Sequence, residues 1–210
     1  MHVDYNWELE APLSFYDDYP VIRDCMEKCK SKTVIDLGCG NGAIDLELLK
    51  AGYEVFGVDS SKSGIDAANS EYRRINPLDK SQRFFYQDFD EQMDGEITNR
   101  SYDTVISAQV IEHVYSPNAY IKLCATLLPV GGKLIITTPY HGYLKNLMLA
   151  ITGKLDKHFT ALWEGGHIKF WSKATLGKLL SENGFQVKEF KGIGRAPYLW
   201  RSMLFVAVKQ

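Results

Sequence analysis

Glycines at alternating positions, Gly38, Gly40 and Gly42, break the run Thr33-Val34-Ile35-Asp36-Leu37-Gly38-Cys39-Gly40-Asn41-Gly42, which begins as a short apolar strand and ends where a helical pattern starts. No other stretch of the chain limits the fold as tightly. Glycine tolerates positive φ, and the missing side chains let a ligand lie against the main chain at a strand-to-helix turn. A nucleotide-like molecule suits such a surface, and Asp36 selects its charge. A diphosphate at the helix N-terminus is repelled by a carboxylate one turn away, whereas an ammonium group is attracted. S-adenosylmethionine carries that ammonium and no phosphate. The next strand, Glu54-Val55-Phe56-Gly57-Val58, ends at Asp59, about twenty residues past Gly38 and placed to accept hydrogen bonds from both hydroxyls of a ribose. Ser60 follows on the same rim.

The stretch from Val34 to Asp59 resembles the cofactor-binding half of the class I S-adenosylmethionine-dependent methyltransferases, and the likeness continues in family order to about residue 138. Asp88-Phe89 follows the strand-like Arg83-Phe84-Phe85-Tyr86-Gln87; the resemblance implies an acid at the adenine amino group and an apolar neighbour on the ring. Tyr102 to Ser107 with Ala108-Gln109-Val110-Ile111-Glu112-His113-Val114 is similar to the family's fourth strand and the loop above it. Leu127 to Ile136 is similar to the approach to its fifth. The resemblance implies donor contacts from Asp36, Gly38, Cys39, Gly40, Asn41 and Gly42 in the turn, from Asp59, Ser60, Asp88 and Phe89 beyond it, and from Ala108, Gln109 and His113 after the fourth strand. Gly38-x-Gly40-x-x-Ala43 also fits a relaxed dinucleotide fingerprint, which keeps a nicotinamide-dependent oxidoreductase open as an alternative; a non-catalytic donor-binding module is the other.

In outline the chain is closest to the ubiquinone-biosynthesis-type O-methyltransferases. Gln109-x-x-Glu112-His113-Val114 is similar to their Glu-x-x-Glu-His pattern, which implies a divalent metal near the substrate. Gln109 stands where the first acid belongs and removes one charged oxygen from a hard-cation site, so no metal ligand is assigned.

The 210 residues carry no Pro- or Ser-rich linker, which fits one domain over 1–210, with residues 1–30 as a cap over the cofactor cleft and 139–172 as an insertion forming acceptor pocket or lid. Strands are expected near 33–37, 54–58, 83–87, 103–107 and 133–138, and helices near 42–51, 62–75 and 117–128. A helix from Lys173 to Asn183, stopped at Gly184, precedes strands at Gln186–Phe190 and Ser202–Val208. The alternation predicts an α/β fold: a Rossmann-like sheet, mostly parallel, with helices on both faces. The resemblance adds seven strands and an antiparallel C-terminal edge hairpin. Ligands in such sheets sit beyond the carboxyl ends of the strands, where Asp36, Asp59, Asp88 and Ala108 converge.

A net charge of −2 with scattered basic residues excludes a dedicated nucleic-acid binder and favours a small-molecule or prenyl, lipid-like acceptor, with oxygen the expected methyl-accepting atom. Cys25, Cys29, Cys39 and Cys124 lack zinc spacing, and Cys25 and Cys29 at i, i+4 read as one helix face. The N-terminus lacks the basic start and apolar core of a signal peptide, with Asp4, Glu8 and Glu10 among its aromatics, and a cytoplasmic setting is expected. Tyr5, Trp7, Phe15, Tyr16 and Tyr19 give this segment its aromatic density, and Tyr16 or Tyr19 is a candidate for cation–π contact with a sulfonium. The segment 143–152 is apolar on most faces and reads as a lid or a helix resting on a membrane surface. Candidate catalytic bases are His167, His141, His113 and Tyr140; His158, between Lys157 and Phe159, is expected at the surface.

Overall fold

The computed structural model describes residues 13–89, 93–159, 161–194 and 196–210. The expectations placed on Asp4, Tyr5, Trp7, Glu8 and Glu10 lie outside them. One seven-stranded sheet forms, in the order β3-β2-β1-β4-β5-β7-β6, from β1 (Thr33–Leu37), β2 (Glu54–Asp59), β3 (Phe84–Tyr86), β4 (Thr104–Ala108), β5 (Lys133–Pro139), β6 (Phe185–Ile193) and β7 (Ser202–Lys209). Strands β1 to β5 pair in parallel, and β7 is antiparallel to both β5 and β6. The near-continuous apolar runs of β1 and β4 match burial on both faces by helices. Because β2 and β4 flank β1 on opposite sides, the winding reverses at β1, and a cleft opens above its carboxyl end.

The helices are α1 (Leu13–Cys29), α2 (Ala43–Lys50), α3 (Lys62–Ile75), α4 (Gly95–Thr98), α5 (Pro117–Thr126), α6 (Tyr143–Ile151), α7 (Leu155–Phe159) and α8 (Lys173–Glu182). Helix α3 starts on Ser61, whose hydroxyl accepts from Gly64 N at 3.3 Å, and α8 starts on a capping box between Ser172 and Thr175. Of α1, sequence spacing suggested only the shared face of Cys25 and Cys29. Its Ile22, Cys25 and Met26 are fully buried against Val34, Leu48, Val55, Ile106 and Ile135, while Cys29 is half-buried. Each such aliphatic side chain contributes about 1.5–3 kcal/mol of burial, which holds α1 to the sheet.

Some boundaries differ from expectation. Strand β3 keeps three residues of the expected five, although Gly57 N still donates to Arg83 O and Gln87 N to Asp59 O, both at 2.9 Å. Helix α5 stops at Thr126, before Pro129, and β6 runs on to Ile193 through a register shift between Val187 and Glu189.

Candidate active site

The glycine turn hangs from β2: Gly38 N and Cys39 N both donate to Val58 O, at 2.7 and 3.1 Å. Gly38 sits at φ +92, and a Cβ there would lie 2.3 Å from Val110 Cγ2, so no side chain fits between the turn and the loop after β4. At Gly57 a Cβ would meet Phe84 Cδ1 at 2.6 Å and Cys39 Sγ at 2.8 Å. That space holds the Cys39 side chain, which packs with Leu46, Ala68 and Phe84 beneath α2 and α3 and leaves only its backbone toward the cleft. Asn41 Oδ1 accepts from Ala43 N at 3.3 Å and shapes the start of α2.

Asp59 closes the turn: its Oδ2 accepts from Gly40 N at 2.8 Å and its Oδ1 from Ser61 N at 2.7 Å. A carboxylate offers about four acceptor sites in all, the capacity a vicinal diol would draw on. Ser60 is half-buried beside it. Beneath the turn Asp36 is 1% exposed and meets the carboxyl of Asp45, from the first turn of α2, which is fully buried. Burial, with the charge of Asp59 added, pushes Asp36 up to about 8 and Asp45 well above the usual carboxylate range. Asp36 Oδ1 and both oxygens of Asp45 find no donor among the described residues. This cluster of acids offers a diphosphate no positive charge and leaves buried acceptors for a cationic group. Half-buried Asp88 and Phe89 follow β3, with the Phe89 ring edge-on to Tyr120 at 5.4 Å. Tyr120 in turn donates to Leu37 O at 3.0 Å and tethers α5 to the end of β1.

After β4 the chain passes half-buried Ala108 and turns at Gln109, which has φ +59. The Gln109 side chain points away from the cleft: Nε2 donates to Asp18 Oδ2 at 2.8 Å and lies 3.2 Å from Thr137 Oγ1. Asp18 also accepts from Thr137 Oγ1 at 3.1 Å, and Arg201 lies 2.8 Å from the neighbouring Asp17. The amide expected at the donor therefore joins α1 to β4 and β5.

Glu112 and His113 bind the far segment of the chain. Glu112 O accepts from Ile168 N and Lys169 N at 2.9 and 3.0 Å, and its Oε2 accepts from Thr138 Oγ1 at 2.9 Å. Burial pushes its acid up to about 8. His113 Nδ1 hydrogen-bonds to Gly165 O at 2.9 Å, and Trp171 Nε1 donates to Ile111 O at 3.3 Å. His167 stands edge-on to His113 with ring centres 4.9 Å apart. Burial lowers both imidazoles, His167 to about 4.

Beside them a cavity of about 430 Å³ is lined by His141, Asn146, Phe159, Ala161, His167 and Phe170. His141 is stacked on Phe159 and edge-on to Phe170, and burial lowers it to about 4 as well. His158 lies over His141 with ring centres 5.2 Å apart, half-buried rather than at the surface, because α7 folds it and Phe159 back onto this aromatic cluster. Tyr140 does not join the imidazoles: its ring is buried against Trp200, and its hydroxyl occupies the space a Cβ on Gly142 would need. No metal ligand was expected, yet one ligand atom each from Glu112, His113 and His167 lies within 4.8 Å of the others. Two imidazoles and a single carboxyl oxygen suit a hard oxygen-seeking cation poorly.

Sequence reasoning missed Asp18 and Asp45. The signal that finds them is spacing, since Asp45 lies three and four residues before Leu48 and Leu49, and Asp18 four and seven before Ile22 and Cys25.

The profile of a family described as "Methyltransferase domain" matches residues 21–189. The chain is similar to the ubiquinone biosynthesis O-methyltransferase of Aeromonas salmonicida (strain A449), at 26% identity over 166 residues covering 79% of this chain and 68% of the relative. It is also similar to that of Burkholderia pseudomallei (strain 1710b), at 26% over 204 residues covering 94% and 85%. Among solved structures, magnesium protoporphyrin IX methyltransferase from Synechocystis PCC 6803 with bound SAH shares the fold, with a TM-score of 0.70 at 23% identity over 92% of this chain and 82% of that one.

Proposed function

The chain belongs to the methyltransferase-domain family and is an enzyme that takes its methyl group from S-adenosylmethionine, and from this we propose that it methylates an oxygen of a small or lipid-like acceptor with an apolar body. The observation that carries the donor side is the trio Asp36, Asp45 and Asp59 around the glycine turn, acidic where a nicotinamide dinucleotide would bring its diphosphate. In our reading Asp59 takes the ribose hydroxyls, Asp36 faces the ammonium group, Asp88 and Phe89 take the adenine, and the backbones of Gly38, Gly40 and Ala108 line the methionine portion.

The reaction is a direct displacement. The acceptor oxygen forms the new bond to the methyl carbon, the carbon–sulfur bond breaks, and its electron pair stays on sulfur as S-adenosylhomocysteine leaves. The hydroxyl proton passes to a base or to water. His167 and His141, at the wall of the apolar cavity, are neutral at physiological pH and weakly basic, which matches an acceptor that releases its proton readily, such as a phenolic hydroxyl. No step is routed through a metal.

We assign the acceptor pocket to the insertion 139–172 and a capping role to α1, and we place the enzyme in the cytoplasm, where its four free cysteines remain reduced. Tyr143, Leu144, Leu147, Met148 and Ile151 of α6 are exposed, and among the described residues no helix is long and apolar enough to cross a membrane. In our reading α6 rests transiently on a bilayer to collect a prenylated acceptor.

The test is incubation with S-adenosylmethionine and paired phenols with and without an apolar tail, following methylated product and S-adenosylhomocysteine. Turnover of the tailed phenol is expected; turnover confined to amines or carboxylates would overturn the oxygen assignment. Co-sedimentation with lipid vesicles, lost in Leu147→Lys, tests the membrane contact.

A further inference from the structure

Asp45 makes none of the donor contacts proposed above, yet it is fully buried at the base of the donor cleft. Among the described residues neither of its oxygens accepts a hydrogen bond, and the same holds for Asp36 Oδ1. The side chain that meets Asp45 is the carboxyl of Asp36. Two bare carboxylates in contact in a dry site repel strongly, so a proton sits between them and they titrate as a pair. The other ionisable groups facing the pair are Asp59, Cys39 and, for Asp36, Tyr120. None of these brings positive charge. Asp59 is held by the Gly40 and Ser61 amides, and burial keeps the Cys39 thiol and Tyr120 hydroxyl neutral.

We propose that Asp45 is a positioning residue for the methyl donor: as a neutral acid it donates a hydrogen bond to Asp36 and aims a negative oxygen of Asp36 at the donor's ammonium group, whose arrival expels one proton from the pair. The proposal rests on Asp36 facing the ammonium. In the donor-free protein the pair holds two protons near neutral pH, because burial raises both acids. With donor bound it holds one, on Asp45, and the other leaves for solvent. The ammonium supplies the positive charge that the burial site lacks. Geometry assigns the retained proton to Asp45, since among the described residues both of its oxygens lack a partner whereas only Oδ1 of Asp36 does.

The test is calorimetric titration of the full chain with S-adenosylhomocysteine, which keeps the ammonium group and does not react, in phosphate and in imidazole. It is run between about pH 6 and 7, below the range where an α-amino group titrates. The wild type is expected to bind with different apparent heats in the two buffers, reporting release of up to one proton, and with affinity rising by up to tenfold per pH unit. Asp45→Asn keeps the shape and a donor for Asp36, so proton release, which comes from Asp36, should persist with affinity within about threefold of wild type; Asp45→Leu removes the donor, and its affinity should fall at least about tenfold. Thermal unfolding without ligand gives an independent readout. Acids raised by burial add stability at low pH that is lost as pH rises toward 8, so the melting temperature of Asp45→Asn should gain on the wild type across that range. Equal heats for the wild type in both buffers, or a folded Asp45→Leu that binds as tightly as Asp45→Asn, overturns the proposal. Failure of the wild type to bind S-adenosylhomocysteine at all would instead count against the donor site.

Discussion

Replacing Asp59 by alanine tests the donor site where its geometry is tightest. The carboxylate accepts two short main-chain bonds, from Gly40 and Ser61, and in our reading adds two from the ribose. Hydrogen bonds to a charged group contribute about 1.5–3 kcal/mol each, so losing both ribose bonds removes roughly 3–6 kcal/mol before water refills the space. With about half restored by that water, the net loss is about 1.5–3 kcal/mol, a roughly 10- to 150-fold weaker Kd for S-adenosylhomocysteine. The variant also leaves two buried amides without an acceptor, at about 1–3 kcal/mol each, partly offset because Asp36 and Asp45 lose a repelling neighbour. Asp59→Asn is no gentler substitute, because its NH₂ group faces one of the two amides, donor to donor. Calorimetric titration measures affinity, and thermal unfolding of the same samples measures the structural share. A variant that melts earlier but binds within about threefold of wild type would refute the ribose assignment and leave Asp59 as a clamp on the turn.

Gly57→Ala should cost about 1–3 kcal/mol of stability, since its methyl group would press on both Phe84 and Cys39, and Cys39→Ala should recover part of this; denaturant unfolding of the double mutant measures the coupling. His167→Ala should lower kcat while leaving S-adenosylhomocysteine affinity within about twofold, and reversal of that pattern would move His167 out of the acceptor pocket. Because burial holds His141 and His167 near 4, turnover should stay level from neutrality down to about pH 5, where a base with an ordinary histidine pKa would already be losing activity. The unfolded chain protonates these imidazoles near 6.5 and the folded one only near 4, so stability should fall as pH drops through that window, and less steeply in His167→Ala.

The donor half was legible because its signals are local. The alternating glycines, the acids ending β1 and β2 and the alternation of apolar runs with helical patterns each lie within a short window, and a parallel sheet brings strand ends together without further information. What was lost there concerns direction rather than position. Gln109 is expected beside the donor, but the chain turns there at positive φ and the amide meets Asp18, an acid marked in the sequence only by its spacing to the apolar residues of α1. Tyr140 and His141 are adjacent in the chain, yet one ring enters the core against Trp200 and the other lines the cavity.

The acceptor half is built from contacts between distant residues, which leave no periodic mark. His113 meets Gly165 across 52 positions and Ile111 meets Trp171 across 60, while the amides of Ile168 and Lys169 close on a single carbonyl, that of Glu112. This also joins the two halves. The loop after β4 carries Val110, packed where a Gly38 side chain would have been, and three residues later His113, facing His167. Any shift of the glycine turn is therefore felt at Val110 and passed within one short loop to the segment that walls the acceptor cavity. Enlarging Gly38 should accordingly disturb both halves together: donor affinity through the turn, and acceptor turnover through the 163–171 segment, with no residue of that segment altered.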